Sequence, residues 1–322
     1  MRILWHSTAP WQPTGYGTQT ALWSRWLRDQ GHDVALSAYY GSQGRTTEWE
    51  GMTVYASPME ANPDAIVMGH ARRHRADLII LLCDVWILDP WRFDGPTPVL
   101  AWIPIDVTPL SIGDTNFVTQ GPPNIRALAM SAHGAEQLAA AGVKPLSILP
   151  HGIDTQVFAP DPRRGELRAA FGITSGQFAV GMNFNNIDPY RKAAAEQLRG
   201  FAEFHRRRPE SVLFVHSMAQ VRGSLDLETV VRTLGIVDAV RFCDQYRMRA
   251  GDYSEADMVR WYNAMDVVLN ATRGEGFGIP AIEAQACGTP VILSRNTTGP
   301  QLCGSSSLLV DTVPMYNPSH NS

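Results

Sequence analysis

Cysteine is scarce in this chain of 322 residues. Its four cysteines, Cys83, Cys243, Cys287 and Cys303, are scattered and form no Cys-x-x-Cys pair. That excludes a disulfide framework and fits reduced, mostly buried thiols in the cytoplasm. Long apolar runs are missing too. None reaches the length that a bilayer-spanning helix needs, and Met1-Arg2 lead directly into an apolar strand without signal-peptide architecture. Charge of one sign is also lacking. Lys and Arg number 27 against 31 Asp and Glu, a net charge of −4, with a pI of about 6.1. No basic field therefore directs the chain to nucleic acid or anionic lipid. No Asp-x-Asp stands at a strand end, where a carboxylate pair would hold Mg²⁺ or Mn²⁺ beside phosphates, so no metal is expected. Internal repeats and low-complexity stretches are absent.

The two local basic runs have structural readings. His205-Arg206-Arg207-Arg208 precedes Pro209 at a helix end, and Arg72-Arg73-His74-Arg75 ends another helix before an apolar strand. Cations there complement the helix dipole. A membrane-surface role for the second run is disfavoured because its flanking apolar stripe is short. The tail 317–322 is polar and expected to be loose.

What is present is a regular alternation. Residues 2–6 read as a strand, 18–28 as a helix stopped by Gly31, and 34–38 as the next strand. Residues 78–83 and 99–105 are continuous apolar runs, as expected for strands covered on both faces. A helix follows from Ser131 to about Ala141. The second half repeats the pattern, with strands at 178–182, 212–216, 240–242, 266–271 and 291–294, and helices at 193–206, 225–234 and 254–264. Alternation of this kind gives two α/β domains with parallel sheets. The join lies in the Pro- and Gly-rich segment 150–162, which sets domains of 1–152 and 153–322.

The most informative stretch is Arg273-Gly-Glu275-Gly276-Phe277-Gly278-Ile-Pro280-Ala-Ile-Glu283. It is a strand, a Gly-rich loop and a helix. Pro280 suits the first helical turn, where its missing N–H costs nothing, and Gly288 and Pro290 close the helix. Glu275 and Glu283 stand eight positions apart, one in the loop and one about a turn inside the helix. In open α/β sheets ligands bind at this carboxyl end. Glycines let backbone N–H groups approach a ligand, the helix start favours anionic oxygens, and a carboxylate accepts hydrogen bonds from neighbouring hydroxyls. A plain capped helix start with a solvated Glu283 is the competing reading.

The full string EGFGIPAIEAQACGTPV resembles the E-x7-E signature of retaining glycosyltransferases of family 4. The segment His151-Gly-Ile-Asp154…Phe158-x-Pro160 is similar to that family's interdomain segment, and Gly31-His-Asp-Val34 to its GHxV. The resemblance covers most of residues 1–311 and thins at 42–76. It implies the GT-B architecture, two Rossmann-like doubly wound domains facing each other across a cleft. The first would be the acceptor side and the second the nucleotide-sugar donor domain. Family members continue for another helix or more, crossing back to the first domain. This chain stops soon after Asp311, so a naturally short molecule and a truncated one are both open.

Thr14-Gly15-Tyr16-Gly17-Thr18-Gln19 follows the first strand, opens the first helix and can present N–H groups to a phosphate. A nicotinamide enzyme would want an acidic residue closing the second strand, and 34–40 ends without one. The loop instead resembles the family's N-terminal Gly-rich loop. Arg191-Lys192 follow the first strand of the second domain, where two cations oppose the dipole of the helix they precede. A bound diphosphate would explain them; a solvated pair is the alternative. Two features depart from the family. Asn186 stands where many relatives carry an arginine. Trp102-Ile-Pro-Ile-Asp106 stands where many carry a histidine, and Asp106 binds a sugar hydroxyl or caps the following turn. His133 and His151 read as a helix-start and a hinge-turn residue.

The resemblance implies a retaining transferase that uses a nucleoside diphosphate sugar as donor. Glu283 would bind the ribose, Glu275 the transferred sugar, and Arg191 and Lys192 the leaving diphosphate. Amides near Gly15, Gly17 and Gly276-Phe277-Gly278 would add to this. No cofactor is implied, and the acceptor is open among a sugar, a lipid-linked glycan or another group. The competing classes are a non-catalytic sugar-nucleotide or glycan-binding protein and, more remotely, a Rossmann-type oxidoreductase.

Overall fold

The computed structural model describes residues 1–59 and 64–314; the polar tail 317–322 lies outside them. The chain forms two compact units, Met1–Gly152 and Ile153–Val313.

In the first unit the elements run β1 (Arg2–Thr8), α1 (Gly15–Asp29), β2 (Asp33–Tyr40), β3 (Thr47–Trp49), β4 (Met52–Tyr55), α2 (Val67–His74), β5 (Leu78–Leu82), β6 (Val99–Ile103), α3 (Ile112–Gln120), β7 (Ile125–Ala129) and α4 (Ala132–Ala140). The seven strands are ordered β3-β4-β2-β1-β5-β6-β7. All pairs are parallel except β3 with β4. Apart from that edge hairpin the winding reverses between β1 and β5, the switch point of a doubly wound sheet. The apolar run of β5 fills the centre, with Ile79, Leu81 and Leu82 fully buried. Ile79 and Leu81 pack with Leu4, Phe93, Ile103 and Phe117. Burying each such side chain contributes roughly 1.5–3 kcal/mol.

The second unit contains α5 (Arg164–Ala170), β8 (Phe178–Asn183), α6 (Ala194–Arg207), β9 (Ser211–His216), α7 (Leu227–Thr233), β10 (Val240–Phe242), α8 (Gln245–Ala250), α9 (Glu255–Ala264), β11 (Val267–Asn270), α10 (Ile279–Ala286), β12 (Val291–Ser294), α11 (Gly299–Leu302) and β13 (Leu308–Val310). Its sheet is wholly parallel, in the order β10-β9-β8-β11-β12-β13. The switch point falls between β8 and β11. One core joins Met182, Leu198, Phe201, Val215 and Val231. Another joins Tyr262, Val268, Ala281, Ala284 and Leu293. On α6, Ala194, Leu198, Phe201 and Ala202 are the buried stripe, the i, i+4, i+7, i+8 spacing of an amphipathic helix.

Both basic runs end helices, as their sequence implies. His205, Arg206 and Arg207 form the last turn of α6, and the Arg208 guanidinium lies 5.6 Å from the Phe178 ring centre. Arg72, Arg73 and His74 close α2. Among the described residues no helix is long and apolar enough to cross a membrane.

Candidate active site at the carboxyl edge of the second sheet

Three loops leave the carboxyl ends of β8, β11 and β12 and are tied to one another. Arg273 N donates to Arg191 O at 2.8 Å, and Arg273 Nη1 donates to Tyr190 O at 3.2 Å. The Arg273 guanidinium also stacks 4.0 Å over the Tyr190 ring. From the loop after β12, Asn296 Nδ2 donates to Arg273 O at 2.9 Å and Thr297 Oγ1 accepts from Glu275 N at 3.1 Å. Gln197 on α6 braces two loops at once, donating to Lys192 O and accepting from Ala271 N. Gly278 holds the N-cap of α10 at φ +104, a conformation that disfavours any side chain. Pro280 occupies the first turn of that helix, as its position predicts.

Within this frame Arg191, Lys192 and Glu275 come together. Lys192 Nζ donates to both Glu275 oxygens, at 2.6 and 2.8 Å. Arg191 Nη1 donates to Gly274 O at 3.0 Å and lies 3.4 Å from Glu275 Oε2. Asp188 adds a contact of 3.4 Å to Arg191 Nε. Burial alone would raise the Glu275 carboxyl. The Lys192 and Arg191 charges, with hydrogen bonds from Lys192 and Thr272, outweigh it and hold the group below its ordinary range. The two cations that oppose the helix dipole are thus already paired with carboxylates inside the protein, Glu275 and Asp188. Gly276 and Phe277 complete the loop, and the Phe277 side chain is buried.

Glu283 makes a different set of contacts. It lies in α10, and its Oε2 accepts from the Tyr262 hydroxyl at 2.7 Å. Tyr262 in turn accepts from Asn183 Nδ2 at 2.8 Å. Burial pushes the Glu283 carboxyl up to about 7, against the lowering effect of the Tyr262 hydrogen bond. A carboxylate half-withdrawn from water with one oxygen anchored suits a pair of vicinal hydroxyls.

Sequence reasoning did not single out Tyr262, Asn183, Gln197 or Thr297. Tyr262 ends a helical apolar pattern and reads as core. Asn186, standing where relatives carry an arginine, is fully buried; its Nδ2 donates to Met218 O and Leu225 O. It is a bracket between loops and adds no charge.

Of the first-unit candidates, Gly15 and Gly17 follow β1, at that unit's own switch point, and Asp106 follows β6. Helix α1 begins at Gly15, earlier than the 18–28 span expected from the sequence, because Thr14 caps it. Gly15 and Gly17 are therefore helical residues. The Gly17 amide donates to Thr14 Oγ1 at 3.0 Å, inside the protein. A Cβ at Gly17 would sit 2.2 Å from Gln12 O, so the chain's own preceding loop requires this glycine. Tyr16 donates to Asp84 Oδ1 at 3.0 Å, joining α1 to the end of β5. Asp106 is half-buried beyond β6, and the following helix α3 is capped by Ser111. His133 lies in the first turn of α4, its Nε2 3.2 Å from Val107 O. His151 is buried against Trp102 and held neutral by burial, its pKa lowered to about 3.

Residues 186–315 match the family described as Glycosyl transferases group 1. Solved structures share both units, and the paired Rossmann-like architecture is that of the GT-B glycosyltransferases. Sucrose-phosphate synthase from Thermosynechococcus elongatus superposes over 97% of this chain and 86% of its own, with a TM-score of 0.75 at 16% identity. HepE from Anabaena, in complex with UDP-glucose, does so over 97% and 86%, with a TM-score of 0.73 at 17% identity.

Among curated proteins, D-inositol 3-phosphate glycosyltransferase 2 of Catenulispora acidiphila is 37% identical over 154 residues, 45% of this chain and 33% of that protein. The GDP-mannose-dependent alpha-(1-6)-phosphatidylinositol monomannoside mannosyltransferase of Mycolicibacterium smegmatis is 33% identical over 180 residues, 52% of this chain and 43% of that protein. The matched part thus spans less than half the length of these relatives.

Proposed function

We propose that this protein is a retaining glycosyltransferase that moves a sugar from a nucleoside diphosphate sugar to an acceptor without a metal. The observation that carries the reading is the Lys192–Glu275–Arg191 cluster at the carboxyl edge of β8 and β11, whose Glu275 shares one strand–loop–helix unit with Glu283. The group 1 match spans all four residues, and the relatives' names supply the reaction class, with GDP-mannose as one donor.

In this reading the diphosphate docks on Arg191 and Lys192, and its charge is neutralised as the bond to the sugar breaks. Glu275, already ionised by those cations, accepts hydroxyls of the sugar. Glu283 accepts the ribose hydroxyls. No side chain stands out as a nucleophile. The acceptor attacks from the face the leaving group vacates, with the departing phosphate taking its proton, so catalysis rests on positioning and charge. The unpaired cysteines, with Cys83 and Cys287 buried, fit a reducing cytoplasm.

The test has two stages. A thermal-shift screen with UDP-, GDP-, ADP- and TDP-sugars identifies the donor, since a ligand at a hundred times its dissociation constant stabilises by about 2.7 kcal/mol. Proton NMR of the first-formed product then reads the anomeric coupling. Retention is expected, and an inverted coupling would refute the mechanism.

A further inference from the structure

The Asn183–Tyr262–Glu283 chain has a fixed direction. Asn183 can only donate through Nδ2, and it does so to the Tyr262 oxygen at 2.8 Å. The single phenolic proton then points at Glu283 Oε2, 2.7 Å away. Oε2 is therefore held as an acceptor, and accepting a hydrogen bond there favours the ionised form of the carboxyl. Tyr262 has no exposed surface. Its ring is wedged by Trp261 and Phe158, with centroids at 5.2 and 6.4 Å. Its carbonyl accepts from Thr289 Oγ1 at 2.8 Å. A side chain pinned in this way is a rigid anchor. Oε1 has no hydrogen-bond partner among the described residues.

We propose that Tyr262, oriented by Asn183, is a positioning residue that favours the ionised form of Glu283 and, by anchoring Oε2, leaves Oε1 to receive a diol. This rests on the ribose role given to Glu283 above. Tyr262 itself touches no substrate in this reading and acts through Glu283. The elements packed on α10 are α9, β11 and β12. Of their titratable groups, Tyr262 and Glu255 on α9 act on Glu283, and Cys287 faces it from just beyond α10. Glu255 opposes ionisation, which leaves Tyr262 as the group favouring it.

The experiment titrates the Glu283 side-chain carboxyl by carbon NMR in the full chain, its signal assigned by loss in Glu283→Gln. In Tyr262→Phe the midpoint should move up by about one pH unit, the equivalent of roughly tenfold in the ionisation equilibrium. Asn183→Ala, which keeps the ring and its packing, should move it the same way by less. Should Tyr262→Phe fail to fold, Asn183→Ala carries the test. An unmoved midpoint in the folded variants would overturn the proposal.

Binding of UDP-glucose and GDP-mannose is measured beside it, because their diphosphate diesters lack the phosphate ionisation near pH 6 that complicates a free nucleoside diphosphate. Affinity in Tyr262→Phe should fall about tenfold near neutral pH and recover as pH rises. Full affinity in Glu283→Gln would defeat the ribose reading instead, whatever Tyr262 does to the titration.

Discussion

The Lys192 ammonium bridges both carboxylate oxygens of Glu275, at 2.6 and 2.8 Å, and both side chains are largely shielded from water, 13% and 16% exposed. The cation proposed to grip a diphosphate is therefore already held by an internal anion. A phosphate arriving at Lys192 must share that ammonium with Glu275. On the proposed roles, the carboxylate that would orient the sugar would also temper the affinity for the leaving group and favour release of the nucleoside diphosphate after transfer.

Glu275→Gln separates the two roles. The amide keeps the shape and removes the competing charge. Nucleoside diphosphate affinity should stay level or tighten by a few-fold, while transfer should fall about a hundredfold or more, as expected when a group acting on the reacting sugar is lost. Calorimetry with the nucleoside diphosphate and a transfer assay on one preparation decide it. Markedly weaker binding would mean that Glu275 serves the nucleotide itself.

Glu283→Ala should have the opposite signature. The ribose is common to every donor and to the free nucleoside diphosphate, so binding itself should weaken. Losing one charged hydrogen-bonding group costs about 1.5–3 kcal/mol, or roughly ten- to hundredfold in affinity. Equal dissociation constants for this variant and the wild type, both folded, would remove Glu283 from the ribose.

The strands that organise the site announce themselves in the sequence. The residues of β11 and β12 are apolar runs of strand length, and Pro280 with Gly288 brackets α10. Other elements gave weaker signals. The β3–β4 hairpin turns on Glu50 and Gly51 at φ +49 and +79, with Trp49 paired to Met52. A glutamate is not the Asn or Asp that usually marks such a turn; here Arg25 and Arg28 bind its carboxylate. Helix α3 is built from Ile-Gly-Asp-Thr-Asn-Phe-Val-Thr-Gln, poor helix formers, and is held by the Ser111 cap and buried Phe117. In the site, the residue types and their loop positions were legible, but their pairing was not. That Lys192 meets Glu275 and that Tyr262 meets Glu283 depend on which strands the winding sets side by side, which local pattern does not encode.

Turnover should survive EDTA. Among the described residues no group of three or more His, Cys, Asp or Glu side chains could hold a metal, and Arg191 and Lys192 supply positive charge where a divalent ion would otherwise be required. Rates with and without chelator should agree. Loss of activity in EDTA that Mn²⁺ restores would replace this account with a metal-dependent one.

The two units should respond differently to mild acid. His6, His70 and His151 of the first unit are buried, with pKa values lowered to about 3, 4 and 3. His6 and His70 both contact the Ser37 hydroxyl, at 3.0 and 2.8 Å. Unfolded, each would titrate near 6.5. Below that pH the unfolded chain takes up protons that the folded unit refuses, so stability is full above about 6.5 and falls as pH drops. The slope approaches about 4 kcal/mol per pH unit for three sites. In the second unit His216, lowered to about 4, acts in the same direction. Glu283, raised to about 7, acts against it, because its folded form holds a proton that the unfolded form has released. The two should nearly cancel between pH 5 and 6.5. Eight of the nine tryptophans lie in the first unit, Trp261 being the exception, so fluorescence-monitored melting follows that unit. Its midpoint should fall steadily from pH 7 to 5. An unchanged midpoint would show that these imidazoles are protonated in the fold, and that the His6–Ser37–His70 contact is a charged one.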